Sequence, residues 1–63
     1  MSAVETRTRK ITSRLEQEGW TVEHGKEHDI YRNPAFHGVR IAVPRHRELS
    51  IGVARGIARL AKW

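Results

Sequence analysis

The apolar residues of this chain change period twice. In residues 5–18 they recur at helical spacing. Ile11 and Leu15 are four apart, Thr8 and Val4 lie near the same stripe, and Arg, Lys and Glu fill the opposite face. The pattern predicts a helix that Gly19 ends, because glycine readily takes the left-handed conformation of a helix C-terminus. From Trp20 the period drops to two. In "WTVEH" Trp20 and Val22 face one way and Thr21 and Glu23 the other, which predicts a half-buried strand. Gly25 and Lys26 then supply a turn. "HDIYRN" predicts a second strand that Asn33-Pro34 ends, with Ile30 and Tyr31 on opposite faces. In "GVRIAV" Val39, Ile41 and Val43 share a face against Arg40 and Ala42, and Pro44 closes the strand because it cannot extend a ladder. From Ile51 the helical period returns, with Val53, Ala54, Ile57, Ala58, Leu60 and Ala61 on one broad side.

The first helix has a narrow stripe and must lean on a larger surface. Short turns between the strands predict an antiparallel meander. The expected fold is a single α+β domain over residues 1–63 in the order α-β-β-β-α. Its three-stranded antiparallel sheet carries both helices on one face and leaves the other open. Double-stranded-RNA-binding domains have the same element order. Trp20, Val22, Ile41, Val43, Ile57 and Leu60 are the expected core. Gly52 and Gly56 each weaken the last helix by about 1 kcal/mol relative to alanine, so a close neighbour is expected at Gly56.

The chain has 63 residues, a size that buries only roughly 60% of the unfolded surface. That excludes a deep interdomain pocket and puts any site on an open surface or in a shallow groove. The chain carries 12 Lys and Arg against 7 acids, a formal net charge of +5. Nine of those bases are arginine, whose planar fork suits phosphate recognition. A polyanionic partner follows, either nucleic acid or an acidic protein. There is no cysteine, hence no disulfide and no thiolate metal site. "MSAVETRTRK" lacks the apolar run of a signal peptide, and no segment is apolar over a bilayer's width. Both observations fit a cytoplasmic protein without a membrane partner.

Few residues offer chemistry. His24 and His28 have a His-x3-His spacing, but a turn separates them and no cysteine completes a ligand set, so no metal or other cofactor is expected. No pair of carboxylates is spaced for acid/base work, and there is neither a nucleophile motif nor a phosphate-cradling glycine loop. Histidine and arginine remain. Histidine titrates near neutrality, so it can take a proton from a ribose 2′-hydroxyl or give one to a leaving 5′-oxygen. The basic loop "PRHRE" is either a solvated turn or a track for a phosphate backbone, with Arg45, His46 and Arg47 as donors.

Several stretches in order resemble the HicA toxins of bacterial toxin–antitoxin pairs. A helix runs into "EGW" (Glu18, Gly19, Trp20). "KEHDIY" then stands where the family has Gly-Ser-His before an apolar–aromatic strand. "IAVPRHREL" (Ile41 to Leu49) follows, and then "IGVARGIARLA" (Ile51 to Ala61). The resemblance covers nearly the whole chain. It implies a toxin that cleaves messenger RNA without the ribosome, needs no metal and inhibits translation. It implies a HicB-type antitoxin that covers the catalytic residue, and a monomeric toxin when alone. His28 falls on the family's catalytic histidine. Lys26, Arg32, Arg40, Arg45 and Arg47 would then offset phosphate charge, with His46 as a second donor. Glu27 replaces the family's serine and puts a carboxylate where a phosphate approaches. Val53 stands where a threonine often opens the last helix, so a capping hydroxyl is expected to be missing, and the tail has no glycine. The rival from another class is a non-catalytic RNA-binding module of the same fold, which would use the bases and ignore His28. A third reading is a structural protein that binds an acidic partner.

Overall fold

A computed structural model describes residues 4–63. The order is α1 (Thr8–Gln17), β1 (Thr21–His24), β2 (His28–Arg32), β3 (Arg40–Pro44) and α2 (Ile51–Leu60). The strands form one antiparallel sheet in the order β1-β2-β3. This is the α-β-β-β-α domain that the periods predict.

Element ends differ from expectation for local reasons. Helix α1 begins at Thr8 rather than near residue 5, because the chain before it pairs elsewhere. Arg7 bridges Glu48, and the Leu49 N–H donates to the Thr6 carbonyl at 2.8 Å. At the other end, Gly19 takes φ +95°, its N–H donates to the Glu16 carbonyl at 3.2 Å, and the Trp20 N–H donates to the Leu15 carbonyl at 3.0 Å. This paired closure satisfies orphan carbonyls and turns Trp20 into the core. Pro44 remains in β3 as its last residue, opposite His28; an edge strand tolerates a residue without an N–H.

Cross-strand partners share a sheet face, so the register sorts the side chains. Val22, Tyr31 and Ile41 form one inward row, and His24, Asp29 and Val43 the next. Tyr31, Ile41 and Val43 are buried together with Ile11 and Leu15 of α1 and with Ala54, Ile57 and Ala61 at α2. Both helices therefore cover the same face. On the other face lie Thr21, Arg32 and Arg40, then Glu23, Ile30 and Ala42, then His28 and Pro44.

The last helix corrects three expectations. Leu60 is 42% exposed and Val53 40%. The buried stripe is Ala54 and Ile57 of α2 with its C-cap Ala61, and Leu60 sits about 100° from Ala61 around the axis. Ser50 supplies the capping hydroxyl: its Oγ accepts the Val53 N–H at 3.2 Å. A Cβ on Gly56 would meet nothing within 4 Å, so no neighbour in the fold requires glycine there. With no glycine after α2, Lys62 itself takes the left-handed turn at φ +64°.

Asn33 ties the β2–β3 loop to the end of α1. Its Nδ2 donates to the Glu18 carbonyl at 3.1 Å, and its Oδ1 accepts the Ala35 N–H at 3.0 Å. The side chain is buried. Asn33→Ala should cost about 1–3 kcal/mol, because it strands a carbonyl and an N–H. In thermal unfolding of a domain this small, each kcal/mol lowers Tm by about 4–8 °C. An unchanged Tm would show that water replaces both bonds without loss.

Candidate active site and its supporting hairpin

His28 is the first residue of the central strand and points from the open face, exposed to solvent. The turn behind it is tight. The Gly25 N–H donates to the His28 carbonyl at 3.0 Å, and a Cβ on Gly25 would lie 2.8 Å from that oxygen. Only glycine fits there without moving the His28 backbone. Lys26 and Glu27 occupy the exposed tip.

Arg45 latches this hairpin from the end of β3. Its Nε and Nη2 donate to Asp29 Oδ1 at 3.1 and 2.9 Å, and its Nη1 donates to the Lys26 carbonyl at 2.7 Å. Nη2 also donates to the Gly25 carbonyl. One guanidinium thus grips the residues on both sides of His28. Asp29 accepts a further contact from His24 Nδ1 at 2.9 Å. Arg45 chiefly, and His24 after it, hold the Asp29 carboxyl below its ordinary value of 3.8. A carboxyl lowered in the folded state contributes stability above its unfolded pKa, and that contribution is lost as pH falls through the folded value. The latch should therefore persist at pH 5 and fail only below the usual aspartate range. An NMR titration of Asp29 checks this; a midpoint at or above 3.8 would contradict it.

The other sequence candidates fall into separate groups. Arg32 and Arg40 are cross-strand partners on the His28 face. They lie four residues along the strands from the His28–Pro44 pair, about 13 Å at 3.3 Å per residue. They suit phosphates flanking a reacting one, and Arg32 also pairs with Glu23 at 2.7 Å. The donors of Arg45 turn into the protein. His46 and Arg47 sit on the β3–α2 loop, which is stitched to α1: the Thr8 N–H donates to the Arg47 carbonyl at 3.1 Å, and its hydroxyl donates to the His46 carbonyl. Their side chains remain exposed. His24 and His28 lie on opposite sheet faces, so their spacing does not make a shared ligand pair. Among the described residues no group of three or more His, Asp or Glu side chains is placed to hold a metal ion. Tyr31 follows the site along β2 but faces the core, where burial pushes its phenol up and keeps it protonated.

Sequence reasoning missed the Asp29–Arg45 latch. Its only linear signal is that a base follows Pro44 and an acid follows His28.

These elements define a small α+β domain with an exposed histidine held at one end of an open sheet. The model of the family described as the HicA toxin of bacterial toxin–antitoxin systems matches residues 8–63. That span runs from the first residue of α1 through Trp63, so the chain belongs to this family and is the toxin of a toxin–antitoxin pair. Among curated proteins no match is found. No helix among the described residues is long and apolar enough to cross a membrane.

Proposed function

We propose that this toxin is a metal-independent endoribonuclease that cleaves messenger RNA and so inhibits translation, with His28 as its general acid or base. The observation that carries the reading is the exposure of His28 on the open face, at the end of a hairpin that the Gly25 N–H closes and Arg45 latches on both sides of it; the resemblance gives this position to the family's histidine. The ribose 2′-oxygen attacks the adjacent phosphorus as its proton leaves. The bond from phosphorus to the 5′-oxygen breaks, and that oxygen takes up a proton. The products are a 2′,3′-cyclic phosphate and a 5′-hydroxyl. An imidazole in reach serves at either proton transfer. Lys26 is the nearest cation along the chain, and Arg32 and Arg40 meet the flanking backbone. A HicB-type antitoxin blocks the reaction by covering His28.

The purified chain should cut a defined RNA in the presence of excess chelator and leave 2′,3′-cyclic ends. RNA that is bound but left intact would favour the non-catalytic module instead. Loss of cutting on chelation would exclude the metal-free step.

Glu27 gives a smaller prediction. Its exposed carboxylate at the turn tip repels phosphate, an effect of about 1 kcal/mol at 4 Å in water. Glu27→Ser should raise cleavage several-fold at low ionic strength, with the gain shrinking as salt screens the charge. Equal rates at low and high salt for the two proteins would show that Glu27 has no part in phosphate approach.

A further inference from the structure

A groove rich in bases runs along α1, away from the open sheet face. Arg7, Arg9, Lys10, Arg14 and Arg47 line it. A second groove, between α1 and the end of the sheet, shares Arg9 and Arg47 with the first, adds His46, and reaches Pro44, the cross-strand partner of His28, and the Asp29–Arg45 pair. The two make one track that starts on α1, passes the β3–α2 loop and ends beside the latched hairpin.

We infer that this track binds the phosphate backbone of single-stranded RNA next to the segment that reaches His28. Charge is the first reason. Arg7 and Arg14 are partly offset by Glu5 and Glu18, at 3.4 and 3.0 Å. Among the described residues no carboxylate lies within ion-pair distance of Arg9, Lys10 or Arg47. Arg9 and Lys10 also stand in the first turn of α1, which holds no acid. The helix dipole disfavours cations there, so their presence opposes local stability, as functional residues often do. The lining chemistry is the second reason. Beside the bases, the first groove offers Ser13, Gln17 and one acid, Glu18, which is already paired with Arg14, and no apolar side chain. A protein partner needs an apolar centre, whereas a phosphate backbone needs cations and neutral donors.

The inference takes its ligand from the nuclease reading but is tested separately from it. A fluorescent single-stranded RNA with 2′-O-methyl groups binds but cannot react, since the attacking hydroxyl is blocked. Its affinity is measured by anisotropy across a salt series for wild type, for the Arg9→Ala/Lys10→Ala pair, and for an Arg55→Ala/Arg59→Ala pair. The last loses the same net charge on α2, away from the track. Alanine keeps α1 helical. The α1 pair should bind at least about tenfold more weakly at low salt. Its log–log salt slope should fall by about 1.4, at about 0.7 for each phosphate no longer neutralised. The α2 pair should stay near wild type. Equal weakening by both pairs would reduce the effect to net charge and overturn the inference. So would polyglutamate of matched charge binding as tightly as the RNA with the same dependence on Arg9 and Lys10, because the track would then serve an acidic protein. A wild type that binds the probe through α1 but fails to cut unmodified RNA would sustain the track while refuting the nuclease.

Discussion

His28→Ala should lower RNA cleavage by about 10²–10⁴-fold, the usual contribution of one positioned acid or base, and should abolish growth arrest on induction. The size follows from exposure. His28 is exposed and lies outside the buried core, so its removal subtracts chemistry and leaves the core intact. Thermal unfolding and binding of the 2′-O-methyl probe should stay near wild type, which separates a lost proton transfer from a lost fold. The growth and cleavage assays must agree. A His28→Ala protein that still arrests growth and still cuts RNA would show that the reaction runs on another group.

Arg45→Ala should be the next most damaging change, because the donors of Arg45 are spent on the hairpin that carries His28. Its guanidinium joins Asp29 to the Gly25 and Lys26 carbonyls and so sets where the hairpin holds His28. Releasing a catalytic group by about 1 Å can cost about 10²-fold, and a loss of that order is expected in kcat. The split between constants is the discriminating measurement. A positioning role lowers kcat and leaves KM near wild type, whereas a phosphate contact raises KM. Arg45→Lys should recover little, because one ammonium cannot reach an acid and two carbonyls in a planar array. If the lysine variant were fully active, charge alone would be the function of Arg45.

Much of this molecule is legible in the linear chain. Alternation in "GVRIAV" already separates Ile41 and Val43 from Arg40 and Ala42, and the structure buries the first two and exposes the others. Motif order, eight residues after Trp20 and sixteen before Pro44, is what singles out His28 for the proposed role. Two failures have separate causes. Leu60 reads as core because α2 is apolar over a wide arc, but a short helix on a small sheet buries only a narrow stripe. The family pattern directs attention to Val53 for the capping hydroxyl, whereas Ser50 stands outside the helix, where a cap must sit.

By itself the sequence determined the elements, their order, and the inward and outward sides of β3. Those properties depend on neighbours a few residues apart, which the 3.6 and 2.0 periods report directly. Only the tertiary structure decided what each base does. Strand register sets Arg45 beside a turn some twenty residues earlier and Arg32 beside Glu23, while the loop stitched to Thr8 brings Arg47 to Arg9. Coulomb energy and hydrogen bonding act over a few ångströms of space, whatever the distance along the chain. Arginines that look alike in sequence therefore become a latch, a partner of Glu23 or part of a basic groove only once the sheet and helices have closed.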